Sequence, residues 1–187
     1  MKHSPRNLQT FELEQGLAAV CESPREQGVL KLIVRRPAEN EREVIEAGEL
    51  SCQEGLVGDN WQARGSTSTD DGSAHPEMQL NVMNSRMIAL IAQDADRWEL
   101  AGDQLYLDMD LSQNNLPPGT QLAIGSAVIE VTAEPHVGCE KFVSRFGRDA
   151  MKFVNSTLGR KLRLRGLNAK VAQAGKIQVG NLVTKTP

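Results

Sequence analysis

Apolar and polar residues alternate with the period of a β-strand over much of the chain, and that alternation predicts a mainly β fold. It runs through residues 29–36, where Leu30, Leu32 and Val34 alternate with polar neighbours, and again through 79–83 and 105–110. Residues 121–124 and 127–132 flank Gly125-Ser126, a two-residue turn that predicts a hairpin. Residues 168–173 and 176–179 flank Ala174-Gly175 and predict a second one, and a last strand, 182–184, follows Gly180-Asn181. The stretch 40–48 reads either as a partner strand or as an irregular loop. Helical spacing interrupts the alternation. Residues 8–22 place Leu13, Leu17, Val20 and Cys21 on one stripe, which makes Cys21 a core residue. Asn84 or Ser85 caps a helix to about Trp98, with Met87, Ile88, Ile91, Ala95 and Trp98 facing inward. A short helix opens at Cys139, and another runs over 148–158 with Gly159 at its closing position. Short strands, Gly-rich turns and inserted helices together predict a closed, partly irregular β-barrel. With no internal repeat and no linker, residues 1–187 read as one domain.

A chain of 187 residues is long enough for a full hydrophobic core. It contains no apolar run of membrane-spanning length, and its first residues lack a signal-peptide core. Its three cysteines, Cys21, Cys52 and Cys139, have no CxxC spacing. That argues against a disulfide framework or a structural zinc site and for a cytoplasmic home. The net charge of −3 conceals a split: residues 1–140 hold ten Lys/Arg against 23 Asp/Glu, and residues 141–187 hold eleven against one. Such a split is read either as an anion-binding face or as two halves attracting each other across one fold. The basic residues are not interleaved with aromatics, which argues against nucleic acid as a partner. Phe142, Phe146 and Phe153 fall at helical spacing and read as core.

The candidate chemistry centres on the run PHVGCEKFVSRFGR, residues 135–148. Cys139 stands between a strong strand and a helix start, where unpaired N–H groups favour a thiolate. Lys141, Arg145 and Arg148 add positive charge nearby. The plainer reading is a buried cysteine acting as a small hydrophobe. His136, three residues earlier, offers a base for a Cys/His nucleophile. No phosphate-binding GxxxxGK[ST] loop, no GxGxxG after a strand and no HExxH is found. Arg163, Arg165 and Asn168 approach the last strands, and arginine forks suit phosphate and planar heterocycles. A soft thiolate suits a transition metal or a transferable sulfur. The Gly-rich stretch 64–76 is long enough to be functional or mobile, with His75 near its end.

The run GTQLAIGSAVIEVTAEPHVGCEKF resembles the signature of MOSC domains, the C-terminal domain of molybdenum cofactor sulfurases and its stand-alone relatives. The tail GLNAKVAQAGKIQVGNLV resembles the closing segment of that family, so the resemblance covers about residues 105–183. It implies a closed irregular β-barrel of the MOSC, pyruvate-kinase-barrel-like type that binds molybdenum cofactor (molybdopterin) or carries sulfur for it. The family cysteine falls on Cys139, as a metal ligand or persulfide carrier; charge and location in the sequence then assign Arg163, Arg165, Asn168, Arg86 and Asn81 to hold the pterin phosphate. Stand-alone relatives are reductases, which implies a small-molecule substrate and an electron-donor or sulfur-donor protein. The pyridoxal phosphate of the long relatives belongs to a separate domain for which this chain has no candidate. Two family motifs are altered. The His-Gly-Gly loop appears as Ala74-His75-Pro76-Glu77, and Gly-Glu-Asn-Leu as Asp110-Leu111-Ser112 or Asn114-Asn115-Leu116. The competing reading is a non-catalytic module that binds a small anion or a protein partner.

Overall fold

A computed structural model describes residues 6–186. Helix α1 (Thr10–Cys21) precedes strands β1 (Gln27–Arg35), β2 (Glu43–Ile45), β3 (Ala47–Ser51) and β4 (Gly55–Leu56). A single turn of helix, α2 (Trp61–Arg64), leads to β5 (Leu80–Asn84) and α3 (Ser85–Ala92). Next come β6 (Leu105–Asp108), β7 (Gln121–Ile124) and β8 (Ala127–Val131). Helices α4 (Glu140–Asn155) and α5 (Thr157–Lys161) precede β9 (Leu167–Gln173), β10 (Gly175–Gln178) and β11 (Leu182–Lys185).

Seven strands close a barrel in the order β11-β7-β8-β9-β5-β6-β1, because β1 pairs back onto β11. Strand β2 is added to β1, and the β5–β6 pair is parallel in an otherwise antiparallel wall. Strands β10, β3 and β4 form a separate small sheet.

Strand alternation explains why there are two cores rather than one. Ile33, Val82, Leu105 and Leu107 point into the barrel, while Val34, Met83 and Tyr106, next to them in sequence, point out. The outward set packs against Leu13 of α1, Met87, Ile88 and Ile91 of α3, and Phe142, Phe146 and Phe153 of α4. The barrel wall is therefore apolar on both faces wherever helices cover it.

Several expectations are corrected here. Residues 168–179 do not form a hairpin: β9 stays in the barrel beside β5 and β8, whereas β10 pairs with β3. The break is fixed by Ser126, whose Oγ accepts from Lys176 N at 2.8 Å while its own N–H donates to the Lys176 carbonyl. Cys21 ends its helix exposed instead of buried. Asn84 does cap α3, its side chain accepting from Arg86 N and Met87 N, but the helix stops early because Gln93 turns left-handed at φ 61°. A 3₁₀ segment, Ala95–Ala101, follows it, and Ala95 is exposed. Gly159 lies inside α5 because Ser156 starts a new helix by accepting from Gly159 N. The two helices expected around Cys139 and Arg148 are joined as α4 but separated by a sharp kink at Gly147, φ 88°.

Four of the eleven cations of the basic tail pair with carboxylates of the acidic head among the described residues. Lys141 meets Glu39, Arg165 meets Asp103, Lys170 meets Glu77 and Glu130, and Lys185 meets Glu26. Among the described residues no helix is long and apolar enough to cross a membrane.

Candidate functional site

Polar residues on the outer barrel wall open a cavity of about 730 Å³ beside α4. Asn81 and Asn168 are opposite each other in the β5–β9 register, on the outward face that Met83 continues as an apolar contact. Asn81 Nδ2 donates to Asn168 Oδ1 at 2.6 Å. Asn168, fully buried, passes the connection on by donating to the Glu134 carbonyl at 3.2 Å. The floor thus reaches the turn that carries Cys139. The segment after β1, helix α2 and the start of α4 supply the other walls.

The walls are cationic. Arg36, Arg42, Arg64, Lys141, Arg145 and Arg165 line the cavity, against Glu39 as its one lining carboxylate. Two of these arginines are held by buried acids. Arg36 grips Asp59 through Nε and Nη2, both at 2.8 Å, and also donates to Asn81 Oδ1 and the Gly102 carbonyl. Arg165 donates to both oxygens of Asp103, at 2.9 and 2.7 Å, and lies 4.9 Å from the Phe142 ring centroid. Arg42, Arg64 and Arg145 have no carboxylate partner among the described residues. Burial, followed by the neighbouring guanidiniums, pushes Arg42 and Arg64 below the usual arginine range. Buried polar atoms without a partner include Arg42 Nε, Asn60 Oδ1, His136 Nδ1 and Arg165 Nε, and all four residues line this cavity. Like charges gathered on one concave surface, on residues that also carry buried unpaired polar atoms, are the physical signature of a site for an anion with further hydrogen-bonding groups.

Cys139 is exposed on the rim. It is the N-cap of α4, with φ −126° and ψ 179°; its carbonyl accepts from Phe142 N and Val143 N, while its side chain makes no cap bond. The thiol is thus free of the helix it precedes. Asn155 pins the turn by accepting from Gly138 N at 2.9 Å and donating to Gly138 O at 3.1 Å.

His136 shares the cavity, but no hydrogen bond joins it to Cys139 among the described residues. Its side chain is 12% exposed, and Nδ1 lies 3.4 Å from Asp103 Oδ1. Burial, then Arg165 and Arg36, drive its pKa well below the ordinary 6.5, so the imidazole is neutral. Below pH 6.5 the unfolded chain takes up a proton there that the folded chain refuses, so this residue makes stability fall on acidification. The slope from this one group reaches about 1.4 kcal/mol per pH unit. Urea unfolding at a series of pH values checks it: His136→Gln flattens the acid side of the profile.

Of the residues singled out in the sequence, Cys139, Asn81, Arg165, His136, Lys141 and Arg145 line the cavity and Asn168 lies directly beneath it, whereas Arg148 is not part of the lining. Arg86 is elsewhere. Its Nε donates to Asp108 at 2.7 Å and its Nη1 to the Ala19 carbonyl, tying α3 to β6 and α1. Arg163 is also outside: it donates to the Leu116 carbonyl at 2.6 Å and lines a smaller hollow of about 140 Å³. His75 caps the 3₁₀ turn Pro76–Met78 by accepting from Glu77 N. Arg36, Arg42, Asn60, Arg64, Asp59 and Asp103 enter the site without having been expected there. Only Arg36 had a usable signal, since Pro37 ends the strand and leaves the arginine beside it at an open edge.

The closed barrel with its covering helices is a MOSC-type fold, mainly β with helices inserted. Among solved structures it is similar to YuaD from Bacillus subtilis, with a TM-score of 0.59 and 14% identity over 84% of this chain and 94% of that one. YiiM from Escherichia coli gives 0.55 and 18% over 85% and 70%, and YiiM from Geobacillus stearothermophilus 0.52 and 13% over 86% and 73%. The sequence matches no family model and no curated protein.

Proposed function

We propose that the cavity binds molybdenum cofactor, with the Cys139 thiolate as the ligand the protein contributes to the metal. The observation that carries this reading is an exposed thiol on the rim of a large cationic cavity whose lining holds unpartnered buried polar atoms. A phosphate-bearing, hydrogen-bonding heterocycle fits that lining: arginine forks match the phosphate, and Asn60 and the orphaned guanidinium N–H groups match a polar ring edge. Among the described residues no three His, Cys, Asp or Glu side chains cluster to hold a metal. A metal taken by Cys139 therefore has to bring other ligands with it, as a metal–dithiolene group does. Arg42, Arg64 and Arg145 would neutralise the phosphate, Arg165 and Asn81 would orient the ring, and Cys139 would fix the metal or hold a transferable sulfur. When bound, the cofactor supplies a two-electron redox centre or an acceptor for that sulfur. Turnover in either case requires a donor protein for electrons or sulfur.

Elemental analysis of protein made in a molybdenum-replete host tests this. The expected result is molybdenum near one equivalent in the unmodified chain and its loss in Cys139→Ala. A second reading is favoured by the altered motifs around His75 and Asn115: the same cations hold a small anion with no cofactor. It predicts no molybdenum in either protein and thermal stabilisation by phosphate that is equal in both.

A further inference from the structure

We infer that the cavity selects a ligand carrying a hydrogen-bond donor as well as negative charge, and that His136 is the residue that reads the donor. The inference deepens the anion-binding reading of the cavity and rests on it. Arginine and lysine can only donate, so the cationic walls satisfy acceptor oxygens and nothing else. Besides the exposed Glu39 carboxylate, which Lys141 engages, two groups on the lining work the other way. Asn60 presents an unpartnered, buried Oδ1. His136 presents a neutral imidazole, and its tautomer is set from behind. A lone pair on Nδ1 would face the fully buried Asp103 carboxylate at 3.4 Å and be repelled by it, so the proton sits on Nδ1. The lone pair is then on Nε2, which has no partner among the described residues. A ligand atom meeting it must carry a hydrogen.

Burial raises the Asp103 pKa; Arg165 opposes that shift, its Nη1 donating to both carboxylate oxygens and fixing them behind the ring. This makes His136 a specificity-determining residue: it rejects an anion made of acceptors alone. Inorganic phosphate as monoanion or dianion, singly protonated phosphate monoesters, and ring systems with N–H or O–H edges share the required chemistry. Sulfate, of nearly the same size and shape, has none.

The test compares inorganic phosphate with sulfate by calorimetric titration of the whole protein near neutral pH. On charge alone, the cationic walls favour the fully dianionic sulfate. The expected result is the opposite order, phosphate tighter by roughly tenfold, the order of one hydrogen bond made by one ion and replaced by lone-pair repulsion with the other. His136→Leu keeps the bulk of the ring but removes the acceptor; it is expected to lower phosphate affinity until sulfate binds at least as well, with sulfate itself little changed. Sulfate binding as tightly as phosphate to the unmodified protein overturns the inference while leaving the anion site standing. Retention of the full preference in His136→Leu overturns the role of His136. If neither ion binds, the anion-binding reading fails and the inference fails with it. The first comparison needs no variant, so the outcome does not depend on whether His136→Leu folds.

Discussion

Asp59→Ala lowers the unfolding free energy by about 3–5 kcal/mol, the cost of leaving a buried charge without its counter-charge. For a domain of this length that is a fall in midpoint temperature of about 6–20 °C. The size follows from what Asp59 holds. Its side chain is 0% exposed and that of Arg36 is 5% exposed, so neither can fall back on water. The carboxylate accepts from Arg36 Nε, Arg36 Nη2, Arg36 N and Trp61 N, at 2.8 to 3.0 Å. Removing it strands a guanidinium and two backbone donors at once, at the point where β1 hands the chain to the cavity wall. Glu39→Ala provides the contrast. The Glu39–Lys141 pair also spans the cavity, but both side chains are mostly in solvent, and such pairs contribute little. Thermal and urea unfolding of both variants settle the matter: a midpoint for Asp59→Ala no lower than that for Glu39→Ala would show that the buried pair does not anchor this wall.

That contrast also explains what could be seen in the sequence. Strand alternation is a local property, so β1, β5, β7 and β8 were legible, and the Gly125-Ser126 turn located its hairpin. Residues 168–179 carry the same kind of local signal and yet separate into two sheets, because the deciding contacts come from Ser126, far away in sequence. The early end of α3 was hidden for a related reason: no Gly or Pro marks Gln93, and only the conformation there shows the left-handed turn. The site divides in the same way. Cys139 could be found because its place between a strand and a helix start is sequential. Arg165 could be found because the tail is rich in cations, but Arg163 and Arg86 have the same composition signal and spend their charge on the Leu116 carbonyl and on Asp108. Arg42, Asn60 and Arg64 become a wall only when the chain after β1 folds back over the outer face of β5. Charge composition alone pointed to an anion-binding face or to attraction between the halves; the fold pairs some of these cations across the halves and leaves others lining a cavity. Lys170 and Lys185 are paired with acids of the head, while Arg145, without a carboxylate, faces the cavity.

Gly166→Ala is expected to be strongly disruptive for a single added methyl, costing about 4 kcal/mol or more. Two independent penalties meet there. Gly166 has φ +111°, where a side chain is strained whatever the surrounding space. The added Cβ would also lie 2.2 Å from the Val82 carbonyl oxygen and 3.1 Å from His136 Nδ1. The first obstacle is backbone of the barrel wall and cannot rotate away; the second is the imidazole that Asp103 faces. Relief therefore has to come from moving the start of β9 off β5, which takes Arg165 away from Asp103 and disturbs the cavity together with the fold. Gly180→Ala separates the two penalties. Its φ is +91°, but nothing lies within 4 Å of the added methyl, so only the conformational strain remains, about 1 kcal/mol. The difference between the two variants in urea unfolding measures the clash alone. Equal midpoints would mean that β9 can shift away from Val82 at little cost, and that the link from barrel wall to His136 is looser than these contacts require.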